Sequence, residues 1–145
     1  MQWLLKWKSE RGAALVEFAI TVPLLVLIVW GAIDFARAYY TSNSLASAVR
    51  EGARYSVVFP NPGANAAAIK AKVKQSFNAF GGDTILDAAI SVYDSSQVPA
   101  GSPRGKVTVE VKDYQWLSTT PLNIFTGGKI LMTRRATFRW EQEPT

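Results

Sequence analysis

AALVEFAITVPLLVLIVWGAI, residues 13–33, decides how the rest of this chain is read. Seventeen of its 21 residues are apolar, and Glu17 is the only charge. As a helix rising about 1.5 Å per residue it is roughly 32 Å long, which matches a bilayer hydrocarbon core of about 30 Å. Lys6, Lys8 and Arg11 precede it with Glu10 as their only acidic neighbour, and Asp34 and Arg37 follow. The excess of basic residues on the short N-terminal side holds that side in the cytoplasm and sends residues from about 34 onward across the membrane.

The chain as a whole has 145 residues, a formal charge of +5 and 48% hydrophobic residues, and it contains neither cysteine nor histidine. That length is one domain's worth. The composition excludes a disordered tail, a collagen-like fibre and a disulfide-stapled miniprotein. It also excludes a Cys/His zinc site, a thiol nucleophile and an imidazole base. Any catalysis would rest on carboxylates, lysines or hydroxyls. Asp83, Asp87 and Asp94 are the carboxylates that would have to converge, and their loop-rich setting reads instead as surface turns. No calcium-loop spacing or glycine-rich phosphate cradle occurs, so no cofactor and no metal are expected.

Three readings of the apolar segment are open. Ala36-Arg37-Ala38 has the small-x-small form of a signal-peptidase site, although the run is long for a signal peptide and carries a carboxylate. An uncut anchor is the second, with Glu17 snorkelling to the cytoplasmic headgroups. The third rests on Arg11-Gly12-Ala13-Ala14-Leu15-Val16-Glu17-Phe18. This run resembles a type IV prepilin, and specifically the TadE-like pilus-assembly family. The resemblance implies that the basic leader, residues 1–12, is cut between Gly12 and Ala13 by a prepilin peptidase. Glu17 then becomes the fifth mature residue and Phe18 the bulky residue after it.

The spacing also has a physical reading. A carboxylate near the cytoplasmic end of a span costs about 2 kcal/mol unless it is paired. Cleavage would create an α-amino group on Ala13, four residues and about 6 Å of helix from Glu17. A neighbouring subunit displaced by that step brings amine to carboxylate, so both costly groups are neutralised only in a registered assembly.

Beyond the span, residues 34–59 contain no proline and one glycine, Gly52, so a single helix is predicted from Ala13 to about Val58. Pro23 removes the donor for the Ala19 carbonyl and predicts a kink or local loosening. Pro60-Asn61-Pro62-Gly63 is the first firm stop. Ile33-Asp34-Phe35-Ala36-Arg37-Ala38 and Arg50-Glu51-Gly52-Ala53-Arg54-Tyr55 extend the likeness to the TadE-like family. Arg50 and Arg54 share a helix face with Glu51 beside them, a candidate contact surface for an assembly partner. Gly52 would permit close approach of another element.

Residues 64–80 read as a second helix, because Ile69, Val73, Phe77 and Phe80 fall within about 80° of arc, and Gly81-Gly82 stops it. Lys70, Lys72 and Lys74 read as a solvated face; no motif supports nucleic acid as a partner. Residues 85–93, with Ala88, Ile90 and Val92 on one side, then 106–112 and 136–140, read as strands. Loops are expected at 97–105 and 117–129, and a frayed tail after Trp140. A Val-Thr-Val strand, Thr120-Pro121-Leu122 and a Thr- and Arg-containing last strand also resemble the family, less specifically.

The fold expected is α+β and pilin-like: a long N-terminal membrane-spanning helix continuing into an outer domain with a second helix and a small antiparallel sheet. Its parts are a leader at 1–12, a span at 13–33 and an outer domain at 34–145. The resemblance implies a non-enzymatic minor pilin or pseudopilin of a tight-adherence, Flp-type pilus, a system of adhesion and biofilm. Its partners would be the prepilin peptidase, other pilin-like subunits, an inner-membrane assembly platform and the lipid bilayer. The location implied is the bacterial inner membrane, with the N-terminus in the cytoplasm and the C-terminus outside.

Overall fold

Strand β2, Lys106–Leu117, lies at the centre of a three-stranded antiparallel sheet, between β1 (Ile90–Tyr93) and β3 (Lys129–Arg139). One face of the sheet is covered by α1 (Gln2–Ser56) and α2 (Ala66–Ser76). This computed structural model describes residues 2–59, 61–79, 84–93, 106–118, 127 and 129–139. The α+β architecture expected from the sequence is the one observed.

The long helix α1 has 55 residues and runs unbroken through Gly12, Pro23 and Ile33. It is therefore longer than predicted at its N-terminal end, since the segment before Ala13 is also helical. Pro23 lies inside the helix without ending it. The portion from Gly12 onward is long and apolar enough to cross a membrane, and none of its most apolar window is buried within the protein. From Asp34 onward the helix changes character. Leu45, Ala48, Val49 and Ala53 are fully buried on one face, at the spacing that places them over a core.

The second helix is shorter than the predicted 64–80, for reasons visible at both ends. Asn61 winds the preceding residues into turns: its side-chain oxygen accepts from Ala64 N at 3.1 Å, and its carbonyl accepts from Asn65 Nδ2 at 2.8 Å. At the other end Phe77 turns extended and stacks edge-on against Tyr114, with ring centroids 5.3 Å apart. Asn78 N then donates to Ser44 Oγ on α1 at 2.9 Å. Tertiary contacts thus end α2 at Ser76, before the glycines. Phe80 and Gly81-Gly82 lie outside the described residues.

Gly52 seats α2 against α1. A Cβ placed there would lie 2.2 Å from Val73 Cγ2, so only a hydrogen fits between the two elements. This is the close approach that the sequence anticipated.

The first strand is shorter than predicted. Residues 87–89 form one turn of 3-10 helix because Asp87 is held by α2: Lys74 Nζ reaches its carboxylate at 2.5 Å and Lys70 Nζ donates to its carbonyl at 3.1 Å. Ala88 is consequently exposed in the turn, while Ile90 and Val92 share the inner sheet face. The other two strands are longer than predicted, β2 reaching Leu117 and β3 starting at Lys129. A bulge between Val111 and Tyr114 separates two registers, and Asp113 takes a positive φ of 52° within it. The extra residue returns Tyr114 and Trp116 to the inner face that Val107, Val109 and Val111 already occupy; all five are buried. The 97–105 loop, Asp83, Asp94, Thr120-Pro121-Leu122, Trp140 and the tail lie outside the described residues.

Candidate assembly site

Residues Gly12 to Phe18 span about two turns of α1, beginning some three turns from its start, and every one of them is exposed. Leu15, Val16 and Phe18 each leave more than half of their surface uncovered. Such a run of apolar side chains has no place in water and needs lipid or another protein around it. Gly12 is an expensive residue within a helix, by about 1 kcal/mol relative to alanine. Packing does not account for it, because a Cβ there would meet nothing within 4 Å.

Glu17 projects from this bare surface one turn beyond Ala13. No described side chain bonds its carboxylate. Its backbone carbonyl accepts the Thr21 hydroxyl at 2.8 Å, an i to i−4 bond that hides the threonine's polarity along the span. The helix therefore carries a carboxylate and, four residues away, the backbone nitrogen that proteolysis would convert to an amine.

Arg50 and Arg54 are exposed and Glu51 is half-buried. They lie on the side of α1 turned away from Val49, Gly52 and Ala53, so the domain's own packing leaves this surface available. It is more than 30 residues from Glu17 along one helix, and the structure does not bring the two groups together.

A third group, where α1 leaves its apolar stretch, was not singled out by sequence. Asp34 is buried, and its Oδ2 accepts a hydrogen bond from the hydroxyl of Ser118, also buried, at the end of β2. About two turns further along α1, Arg134 Nη2 donates to Ser42 Oγ, a second polar tie from the sheet to the helix. A groove of about 190 Å³ opens beside Asp34, lined by Gly31, Phe35 and Ala38 on one side and by Trp116, Ser118 and Ile130 on the other. The sequence signals for this site were a charge placed directly after the apolar run and its place in the Ile33–Ala38 stretch that extends the family likeness.

The comparison with known families bears on the same helix. Residues 12–54 match the family described as TadE-like protein. The N-terminal segment is similar to that family over less than a third of the chain. The match takes in Gly12, Ala13, Glu17, Phe18, Asp34 and the Arg50–Arg54 surface, and it ends before α2 and the sheet. No curated protein and no solved structure matches the chain. The family likeness thus resides in the TadE-like helix. Asp87, the described member of the three aspartates considered for catalysis, is exposed and paired with Lys74. No group of three or more metal-ligating side chains occurs among the described residues.

Proposed function

We propose that the protein is a pilin-like subunit of a tight-adherence, Flp-type pilus-assembly system, inserted in the inner membrane by α1 and processed between Gly12 and Ala13. The observation that carries the proposal is Glu17, an exposed carboxylate in an apolar helix, five residues beyond an unpacked glycine. The TadE-like match over this same helix supports it. After cleavage the amine of one subunit and the Glu17 carboxylate of its neighbour neutralise each other in a low-dielectric setting. Assembly in that register removes two desolvation costs at once. The outer domain, well over half the chain, favours a minor or tip-associated component over a repeating shaft subunit.

Release of a secreted module by cutting after Ala38 fits the structure less well. Ala38 packs on the core of the outer domain, and the cut would remove Asp34 from Ser118. An uncut anchor differs from the processed subunit by its N-terminus. Terminal sequencing of the membrane-extracted protein tests all three readings. Ala13, carrying an N-methyl group, is expected. Retention of Met1 in working protein, or a terminus at Tyr39, overturns the proposal.

A further inference from the structure

We infer that the end of the β2–β3 hairpin, through Leu117, Ile130 and Leu131, rests in the outer headgroup layer of the bilayer beside α1. This contact gives the outer domain a second hold on lipid and fixes its tilt. The inference depends on residues 13–33 spanning the membrane, as proposed above.

Position along the helix carries the first part of the argument. The hairpin end meets α1 at the groove between Gly31, Asp34, Phe35 and Ala38 on one side and Trp116 and Ile130 on the other. If hydrocarbon ends at Ile33, those helix residues run from about 3 Å inside that boundary to about 8 Å outside it at 1.5 Å per residue. The headgroup layer of one leaflet is about 5–8 Å thick. The hairpin end is therefore held at headgroup depth by its own packing.

Polarity carries the second part. Further along, the outer sheet face is polar: Ser91, Glu110 and Arg135 lie in one row, and Tyr93, Thr108 and Thr137 in the next. Toward the helix exit that same face carries Leu117 and Leu131, which are 57% and 60% exposed, paired with Lys129 and Gln115. Ile130, on the inner face, is also exposed. Two exposed leucines on one edge of a small sheet are a liability in water. At the level of an apolar helix leaving a membrane they continue its lipid-facing surface. Trp30, about 5 Å inside the boundary at Ile33, and Tyr39 and Tyr40, about 9–11 Å outside it, are exposed on α1 and flank this layer; Trp and Tyr are the amphipathic rings that favour a membrane–water interface. Lys129, exposed beside Leu117 in the ladder, can reach lipid phosphates while its stem stays apolar.

The chain has no cysteine, so single-cysteine spin labels report depth directly. The full chain is reconstituted in phosphatidylcholine–phosphatidylglycerol vesicles with a label at Ile28→Cys, Leu117→Cys, Leu131→Cys or Arg139→Cys, and collision with oxygen is compared with collision with a water-soluble nickel chelate. All four side chains are exposed, and near-UV circular dichroism confirms the fold of each variant. Oxygen is expected to dominate at 28, nickel at 139, and the oxygen-to-nickel ratio at 117 and 131 to be several-fold above that at 139. Ratios at 117 and 131 equal to that at 139, with 28 in lipid, overturn the inference and leave the span intact. Shielding of 117 and 131 from both reagents overturns it in favour of a protein neighbour. Nickel access at 28 removes the span, and the inference with it.

Discussion

The Asp34 carboxylate and the Ser118 hydroxyl are hydrogen-bonded across 84 positions of sequence, both buried, where α1 leaves its apolar stretch. A charged acceptor out of water depends on each donor it has. Ser118→Ala removes one and leaves the carboxylate in place, which costs about 1–3 kcal/mol. The expected outcome is a lowered thermal midpoint of the full chain in detergent, followed by near-UV circular dichroism, where neighbouring Trp116 reports the loss. An unchanged midpoint would show that the other contacts of Asp34 suffice.

Gly52 makes a sharper prediction. Alanine has the better helix propensity by about 1 kcal/mol, so an exposed site would gain from Gly52→Ala. At Gly52 the new methyl would meet Val73 Cγ2, a stiff β-branched side chain that is fully buried. Overpacking of this kind costs about 1–3 kcal/mol and outweighs the propensity. Gly52→Ala is expected to destabilise, and Val73→Ala added to it is expected to cost less than its effect on the wild-type chain. A double-mutant cycle in denaturant measures that coupling.

On the outer sheet face, Glu110 is buried beneath longer side chains, with Arg135 Nη2 at 3.2 Å and Lys112 Nζ at 3.7 Å. Only the arginine is within hydrogen-bond reach. Arg135→Ala is therefore expected to cost about 1–2 kcal/mol, and Lys112→Ala less than about 0.5 kcal/mol, since both cations are half-exposed and screened. Equal losses in urea titrations would mean that Glu110 is stabilised by charge alone.

The sequence made α1 legible because a long apolar helix is a local signal: an unbroken apolar run, and no proline between Asp34 and the stop at Pro60. Gly52 was legible for the same reason, as a lone glycine in a helix. The ends of the other elements were not. Phe77 satisfied the helical stripe of α2, yet its partner Tyr114 draws it out into an extended turn. Strand alternation in β2 lapses at Lys112-Asp113, where a bulge resets the phase, and so the strand continues beyond its apparent end. Asp34 and Ser118 were each visible in the sequence, but nothing in either residue names the other.

Glu17 decides between assembly and anchorage. It is exposed, and no described side chain depends on it, so Glu17→Ala is expected to leave the fold of the outer domain unchanged. Removing a charge from an apolar span also makes insertion more favourable, by about 2.5–3.5 kcal/mol at the centre and less near the end. Membrane fractionation should therefore recover the variant at wild-type levels. On the proposed pairing, what it lacks is the partner for a neighbour's amine, and a buried ammonium left unpaired costs about 3–5 kcal/mol. That is a loss of more than a hundredfold in association, since about 1.4 kcal/mol is a factor of ten. The expected result is normal insertion with no variant subunit in sheared pilus fractions, while Glu17→Asp, which keeps the charge, restores part of the incorporation. Incorporation of Glu17→Ala at the wild-type level would remove the pairing role and favour a carboxylate that merely reaches for the cytoplasmic headgroups.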